Sequence, residues 1–246
     1  MIDANENKIK RAFERPQWYL TQAGYNIRIR AETVKEFAKD ARIENILDIG
    51  CGDGSLSLDL LDENRSLTLL DRSKAMLNIA SSRIPKALHS RVQILNEDFV
   101  TAQLPPQTFD LVVCVGVLAY VDPLRPFLTK IVSLLAPGGI AIVECSDGSH
   151  FVRRLSRAYG ALRLKLGAGD FQTVVRPSSE VVKEFASLGF DRFGSFRYCQ
   201  PFPVIRKLFS QAMSYNAIRL IYGTAAHSRA QQLGSECLYC FKRVQP

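Results

Sequence analysis

Short apolar runs alternate with segments of helical periodicity through the middle of the chain. Between these runs, apolar residues at helical spacing predict helices at Ser55–Leu61, Lys74–Arg83 and Leu124–Leu135. Short apolar runs separated by helices are typical of βαβ units, in which a parallel sheet is covered on both faces. The five runs that predict strands are Asn45–Ile49, Ser66–Leu70, Val92–Leu95, Leu111–Val115 and Ile140–Glu144.

The segments on either side of this core have a different pattern. Residues 6–40 read as helical, with Pro16 separating a short first helix from a second around Arg28–Lys39. After residue 147 the alternation loosens, and the pattern predicts a helix, a strand, a helical block and a last strand. These lie at Ser179–Leu188, Phe193–Tyr198, Val204–Tyr222 and Cys237–Phe241.

No linker long enough to separate two domains interrupts this pattern, and 246 residues with 47% apolar content suit one domain. We therefore predict a single α/β domain over 1–246, with a Rossmann-like, mostly parallel sheet and helices on both faces. Residues 1–40 would form N-terminal helices, 41–147 a ligand-binding core, and 148–246 a substrate-side half. No apolar run approaches the length needed to span a bilayer.

A glycine-rich turn follows the first predicted strand. The segment Asp48-Ile-Gly50-Cys51-Gly52-Asp-Gly54 lets the backbone bend tightly and approach a ligand, and the helix predicted after it would add free N–H groups. A dinucleotide fingerprint has a third glycine where this chain has Ser55. Asp48 would also repel a pyrophosphate, so a nicotinamide dehydrogenase is the less favoured alternative.

Two further acids end the next two strands. Asp71 follows the second strand and Asp98 follows the third. Ligands of open α/β sheets bind outside the carboxyl ends of the strands, so Asp48, Asp71 and Asp98 are expected to converge on one crevice.

At these residues the chain resembles the class I S-adenosylmethionine-dependent methyltransferases. The glycine loop resembles their first motif, and Asp71-Arg72-Ser-Lys-Ala-Met76 is similar to their second-strand motif. The segment from Phe109 through Val115 to Tyr120 resembles their fourth motif, with tyrosine where many members have histidine, and Pro137-Gly-Gly139 is also typical. The resemblance covers about residues 40–147.

The resemblance implies a seven-stranded sheet whose last two strands are antiparallel, with a helical insertion at about 204–232. It implies S-adenosyl-L-methionine as cofactor, S-adenosyl-L-homocysteine as product, and no metal. Asp71 would hold the ribose, Met76 would pack on the adenine, and Asp98-Phe99 would contact the adenine amino group. The predicted cofactor residues are Asp48, Gly50, Cys51, Gly52, Gly54, Asp71, Arg72, Met76, Asp98, Phe99, Val115 and Tyr25. Tyr25 would lie across the cleft as a lid, together with Trp18 and Tyr19.

Methyl transfer from a sulfonium needs mainly proximity and alignment. A general base is needed only when the acceptor proton has a high pKa. His150, after the fifth strand, and Tyr120 are the candidate catalytic residues. The expected acceptor is an oxygen or nitrogen, or less readily a carbon, of a small molecule. A nucleic-acid or protein methyltransferase and a non-catalytic cofactor-binding scaffold remain alternatives.

Charge is unevenly distributed along the chain. Residues 1–150 hold 17 basic and 19 acidic residues, for a net charge of −2, whereas residues 151–246 hold 15 and 5, for +10. This asymmetry predicts an anionic acceptor beneath a basic cap, or peripheral membrane contact through 151–166 or 204–222. Nucleic acid is disfavoured because the basic residues are not interleaved with aromatic ones.

The remaining features indicate the compartment and leave the oligomeric state open. Six scattered cysteines predict reduced thiols, and the Cys237-x-x-Cys240 pair has no second pair with which to bind a metal. The polar N-terminus lacks the pattern of a secretory signal. Together these features predict a cytoplasmic protein.

Overall fold

The computed structural model describes residues 16–155, 173–200 and 209–244, with only the backbone described for 16–23. Seven strands form one sheet in the order β3-β2-β1-β4-β5-β7-β6. The strands are β1 (Asn45–Ile49), β2 (Ser66–Leu70), β3 (Val92–Leu95), β4 (Phe109–Cys114), β5 (Leu135–Ser146), β6 (Phe190–Tyr198) and β7 (Glu236–Arg243). β1 to β5 pair in parallel and β7 pairs antiparallel to both β5 and β6. The predicted Rossmann-like sheet with an antiparallel edge is confirmed.

Five helices cover the two faces of the sheet in the described residues. They are α1 (Pro16–Ala38), α2 (Lys74–Arg83), α3 (Leu124–Leu134), α4 (Ser178–Ser187) and α5 (Gln211–Tyr222). Apolar side chains of α3 and α4 pack on one face, and those of α1, α2 and α5 pack on the other. Each face of the sheet is therefore buried, which is why the strands read as continuous apolar runs. None of the described helices combines the length and the hydropathy needed to cross a membrane.

The structure corrects two predicted helices. α1 begins at Pro16 instead of near Arg28, because proline is tolerated in the first turn of a helix, where its missing N–H has no intrahelical acceptor. Ser55–Leu61 forms turns and a short 3₁₀ segment, Leu58–Leu60, instead of an α-helix. Its Ser57 hydroxyl donates to Asp48 at 2.6 Å, a side-chain bond that ties this segment to β1.

The described residues of the C-terminal half, 151–155, 173–200 and 209–244, contribute nothing to the basic cap that the charge asymmetry predicts. α5 packs on α1 and β6, and no described residue of the 204–232 insertion lines the large cleft of the molecule. Four arginines of this half pair with carboxylates within the protein: Arg153 with Glu236, Arg176 with Asp122 and Glu180, Arg197 with Asp147, and Arg219 with Glu32. Charge asymmetry along a sequence does not reveal which charges are paired inside the fold. Residues 156–166 and 204–208 of the predicted cap lie outside the described residues.

Candidate functional site

A cleft of about 1140 Å³ opens at the carboxyl ends of β1 to β4. The loops that follow these four strands supply most of its wall, and Ile27 and Arg30 of α1 close one side. All four basic residues that line it come from the first 150 residues: Arg30, Arg72, Lys74 and Lys130. The crevice therefore lies where parallel α/β sheets bind ligands.

Three glycines with positive φ shape the loop after β1. Gly50, Gly52 and Gly54 have φ of +67°, +56° and +76°, a backbone region that glycine enters without strain. A Cβ at Gly50 would lie 2.4 Å from Val117 Cγ2, and one at Gly54 would lie 2.6 Å from Leu58 Cδ1. A Cβ at Gly52 would meet no atom within 4 Å. Gly50 and Gly54 thus allow close packing, whereas Gly52 borders open space in the cleft.

Asp48 lies beneath this loop and is not among the residues that line the cleft. Its side chain is buried, with Oδ2 accepting the Ser57 hydroxyl and Oδ1 lacking a partner. The pKa of Asp48 is raised to about 7, mainly by burial; the Ser57 hydroxyl opposes this rise, and the nearby carboxylates of Asp71 and Asp53 contribute to it. A buried carboxylate oxygen without a donor suits a site that receives a cationic ligand.

Asp71 links the loops that follow β1 and β2. Its Oδ2 accepts the backbone N–H of Gly52 at 2.8 Å, and its Oδ1 accepts that of Ser73 at 2.7 Å. Burial raises the pKa of Asp71, while these backbone bonds act in the opposite direction. Each carboxylate oxygen has a second lone pair, so the group retains the capacity to accept ligand hydroxyls.

The residues after β2 and β3 form a mixed polar and apolar wall. Met76 and Phe99 are buried and line the cleft. Asp98 accepts the N–H of Val100 at 2.8 Å, and its Oδ2 lies 3.4 Å from Arg72 Nε. This wall offers apolar surface for a flat ring together with carboxylate acceptors. Cys51 and Val115 line the cleft as well.

Arg30 is a cleft residue that the sequence analysis missed. Its Nε donates to Glu144 Oε1 at 2.8 Å, and its Nη2 lies 2.6 Å from Oε2, so the pair is bidentate. Glu144 is buried in β5, and its pKa is raised by burial and lowered by Arg30. The only local signal was an acid within an apolar strand, and it did not identify the partner on α1.

The predicted catalytic and lid residues occupy three different positions. Tyr120 lines the cleft from a 3₁₀ segment, Leu118–Tyr120. His150 is not among the lining residues, and its Nδ1 accepts the backbone N–H of Val152 at 3.3 Å. Tyr25 is buried beside the cleft without lining it, and its backbone N–H donates to Gln211 Oε1 at 2.9 Å. The side chains of Trp18 and Tyr19 lie outside the described residues.

The sheet order and the cleft define the fold of the class I S-adenosylmethionine-dependent methyltransferases. A family model described as "Methyltransferase domain" matches residues 46–139. The similarity to this family therefore covers 94 of the 246 residues.

Individual relatives show the same similarity to methyltransferases. The chain is 30% identical over 138 residues to the mitochondrial ubiquinone biosynthesis O-methyltransferase of Schizosaccharomyces pombe, covering 54% of this chain and 50% of that protein. The chain spans about half the length of the first curated relatives it matches.

Solved structures extend the likeness over nearly the whole chain. A Thermotoga maritima S-adenosylmethionine-dependent methyltransferase, a possible histamine N-methyltransferase, has a TM-score of 0.68 at 15% identity over 97% of this chain and 99% of that one. The N-methyltransferase NodS of Bradyrhizobium japonicum, solved with S-adenosyl-L-homocysteine, has a TM-score of 0.60 at 17% identity over 96% and 98%. At these identities the likeness establishes the fold.

Proposed function

We propose that the protein binds S-adenosyl-L-methionine in the cleft and transfers its methyl group to a small-molecule acceptor. The observation that carries this proposal is the convergence of a glycine loop with Asp71 and Asp98 on one cleft, above the buried Asp48. Two features fit this cofactor. The negative charge of Asp48, which lies buried beneath the glycine loop, would favour the charge of its ammonium group, and the open space at Gly52 leaves room for its amino-acid part.

Different residues of the cleft would bind different parts of the cofactor. Asp71 would accept the ribose hydroxyls, and the buried side chains of Met76 and Phe99 would pack on the adenine. Arg30, held by Glu144, presents a cation suited to the amino-acid carboxylate. When bound, the cofactor supplies a methyl group on a sulfonium, which is an excellent leaving group.

The contribution of the chain to the reaction is then mainly positioning. Val115 and Tyr120 line the part of the cleft that follows β4, and Tyr120 would orient the acceptor there. Asp122 also lines this region and is a carboxylate that could receive an acceptor proton. His150 has no place in this mechanism, because its ring caps the residues that follow it.

An oxygen or nitrogen acceptor on a small molecule fits the proposal best. The similarity to a ubiquinone biosynthesis O-methyltransferase favours oxygen as the acceptor atom. The likeness to the structure of an N-methyltransferase is the reason to retain nitrogen as the alternative acceptor atom. Apolar side chains such as Leu70, Met76 and Phe99 line much of the cleft, which suits a largely hydrophobic acceptor.

Calorimetry with S-adenosyl-L-homocysteine tests the cofactor first. Binding supports the proposed site, and no binding overturns it. Transfer from radiolabelled S-adenosyl-L-methionine to separate panels of phenols, amines, RNA and protein then tests the reaction. Labelled phenols or amines support the proposal, whereas label confined to RNA or protein contradicts the acceptor class. Binding without turnover on any panel favours a non-catalytic scaffold.

The pH dependence of product binding provides a specific prediction for Asp48. Because the pKa of Asp48 is about 7 in the free protein, a ligand whose ammonium group favours the ionised carboxylate displaces a proton when it binds below that pH. We expect the affinity for S-adenosyl-L-homocysteine to fall by up to about tenfold per pH unit below 7 and to level off above it. Calorimetry in two buffers of different ionisation enthalpy would measure the proton released.

The Asp48→Asn variant is the control for this linkage. It should show a flat pH profile between 5 and 8 and no proton release, within about a tenth of a proton. The folded protein keeps the Asp48 proton up to about pH 7, whereas the unfolded chain loses it near pH 4. The free energy of unfolding of the wild type should therefore decrease between pH 4 and 7, relative to that of the variant. A wild-type profile as flat as that of Asp48→Asn would contradict the role of Asp48.

A further inference from the structure

α5 is buried along one side and carries several large apolar side chains among the residues that face water. Ser214, Ile218 and Tyr222 are its buried residues. The large apolar side chains exposed on this helix or just before it are Phe209 at 40%, Met213 at 52%, Leu220 at 75% and Ile221 at 48% exposure. An ordinary surface helix has polar residues on the side that faces water.

Most of these apolar side chains lie on one side of the helix. At 3.6 residues per turn, Met213, the half-buried Ala217 and Leu220 fall within an arc of roughly 60°, away from the buried side and next to the exposed Asn216. Ile221 flanks this stripe, and Phe209 precedes the N-cap residue Ser210. We call Phe209, Met213, Ala217, Leu220 and Ile221 the α5 surface.

The sequence around the α5 surface contains no acidic residue. Neither Asp nor Glu occurs between Asp191 and Glu236. Arg206 and Lys207 precede the surface in the sequence, and Arg229 follows it. Arg229 is exposed, and its backbone N–H donates to the carbonyl of Tyr222 at 2.8 Å, which places it at the C-terminal end of α5.

The carboxylates of α1 that face α5 and the loop after it are bound within the protein. Glu32 pairs with Arg219 and accepts the Tyr215 hydroxyl at 2.8 Å and 3.0 Å. Glu36 accepts the backbone N–H of Ala226 at 3.0 Å. These contacts reduce the repulsion that the two carboxylates would exert on an anionic partner.

We propose that the α5 surface docks on a bilayer that contains anionic lipids. An apolar helix surface that is followed by the exposed Arg229, in a stretch of sequence with basic but no acidic residues, matches the chemistry of such a membrane surface. A partner protein of neutral or basic surface would not explain the absence of acids over this long segment. This proposal does not depend on the methyl-transfer activity, because no described residue of the α5 surface lines the cleft.

Co-sedimentation of the full chain with vesicles tests this proposal. We expect binding to vesicles of phosphatidylcholine with phosphatidylglycerol, and much weaker binding to phosphatidylcholine alone or at high salt. The double variant Met213→Asn/Leu220→Asn should reduce the partition coefficient by at least about tenfold, because it removes two exposed apolar side chains from the surface.

Phe151→Asn is the matched control, because Phe151 is 66% exposed and belongs to the other segment predicted to contact membranes. It should leave vesicle binding unchanged. Both variants should keep wild-type affinity for S-adenosyl-L-homocysteine, which shows that they fold and separates this test from that of the proposed function. Three results would overturn the proposal: unchanged binding of the double variant, loss of binding in Phe151→Asn alone, or self-association that the double variant abolishes without any vesicle binding.

Discussion

The Gly52→Ala variant is expected to lose most of its affinity for S-adenosyl-L-homocysteine while remaining folded. A methyl group at Gly52 would meet no protein atom within 4 Å, so it would occupy cleft space that the ligand needs. Overpacking of this kind costs about 1–3 kcal/mol, which corresponds to roughly a 5- to 150-fold loss of affinity. Calorimetry measures this loss directly.

Gly138→Ala is the matched control for the backbone. Gly138 has φ of +82° and also has no atom within 4 Å of its added Cβ, but it lies in β5, away from the cleft. Each substitution should cost roughly 1–2 kcal/mol of stability for the left-handed conformation. Equal melting temperatures with unequal affinities would assign the loss at Gly52 to the ligand. Equal losses of affinity would contradict a ligand-binding role for the loop.

The bounds of four core elements could be predicted from the sequence because local patterns determine them. β1, β2, β3 and α2 begin and end at the predicted residues. Their apolar runs are bounded by polar residues, and Ser73 caps α2 by accepting the N–H of Met76. Where a local signal marks both ends of an element, tertiary packing does not move the residues at which that element begins and ends.

The glycine loop shows the limit of this reasoning. Its bends follow from residue type, whereas the helix predicted after it is replaced by turns in which Gly54 O accepts the N–H groups of Ser57 and Leu58. The competing bond from Ser57 to Asp48 joins residues on different elements, and periodicity carries no information about it. The predicted helix N-terminus with its free N–H groups is therefore absent from this described segment.

Long-range pairing explains the remaining differences. Arg30 and Glu144 meet across the fold, and neither residue's neighbours in the sequence indicate the pair. Likewise, the amphipathic pattern of α5 predicts a buried side but cannot say that this side packs on α1 and β6 instead of covering the cleft. Predictions from residue type were therefore most accurate for the glycine loop and for the acids at the strand ends, whose positions follow from local backbone shape.

Asp71→Asn is expected to reduce the affinity for S-adenosyl-L-homocysteine by about a hundredfold, because both a ligand contact and the loop that carries it are altered. Both carboxylate oxygens of Asp71 accept backbone N–H groups. An asparagine has one acceptor oxygen, so its NH₂ group must face the N–H of either Gly52 or Ser73. One backbone donor is then left unsatisfied, at a cost of about 1–3 kcal/mol of stability.

Asp62→Asn is the control for the loop contribution, because Asp62 accepts the backbone N–H of Asn64 at 2.8 Å in an exposed turn before β2. It should leave product affinity unchanged. A product analogue that lacks both ribose hydroxyls separates the two roles of Asp71 in a double-mutant cycle. If Asp71 binds the ribose, wild type loses affinity for the analogue and Asp71→Asn loses little more. If the two losses add fully, Asp71 only braces the loops, and the ribose assignment is wrong even though the cleft still binds the cofactor.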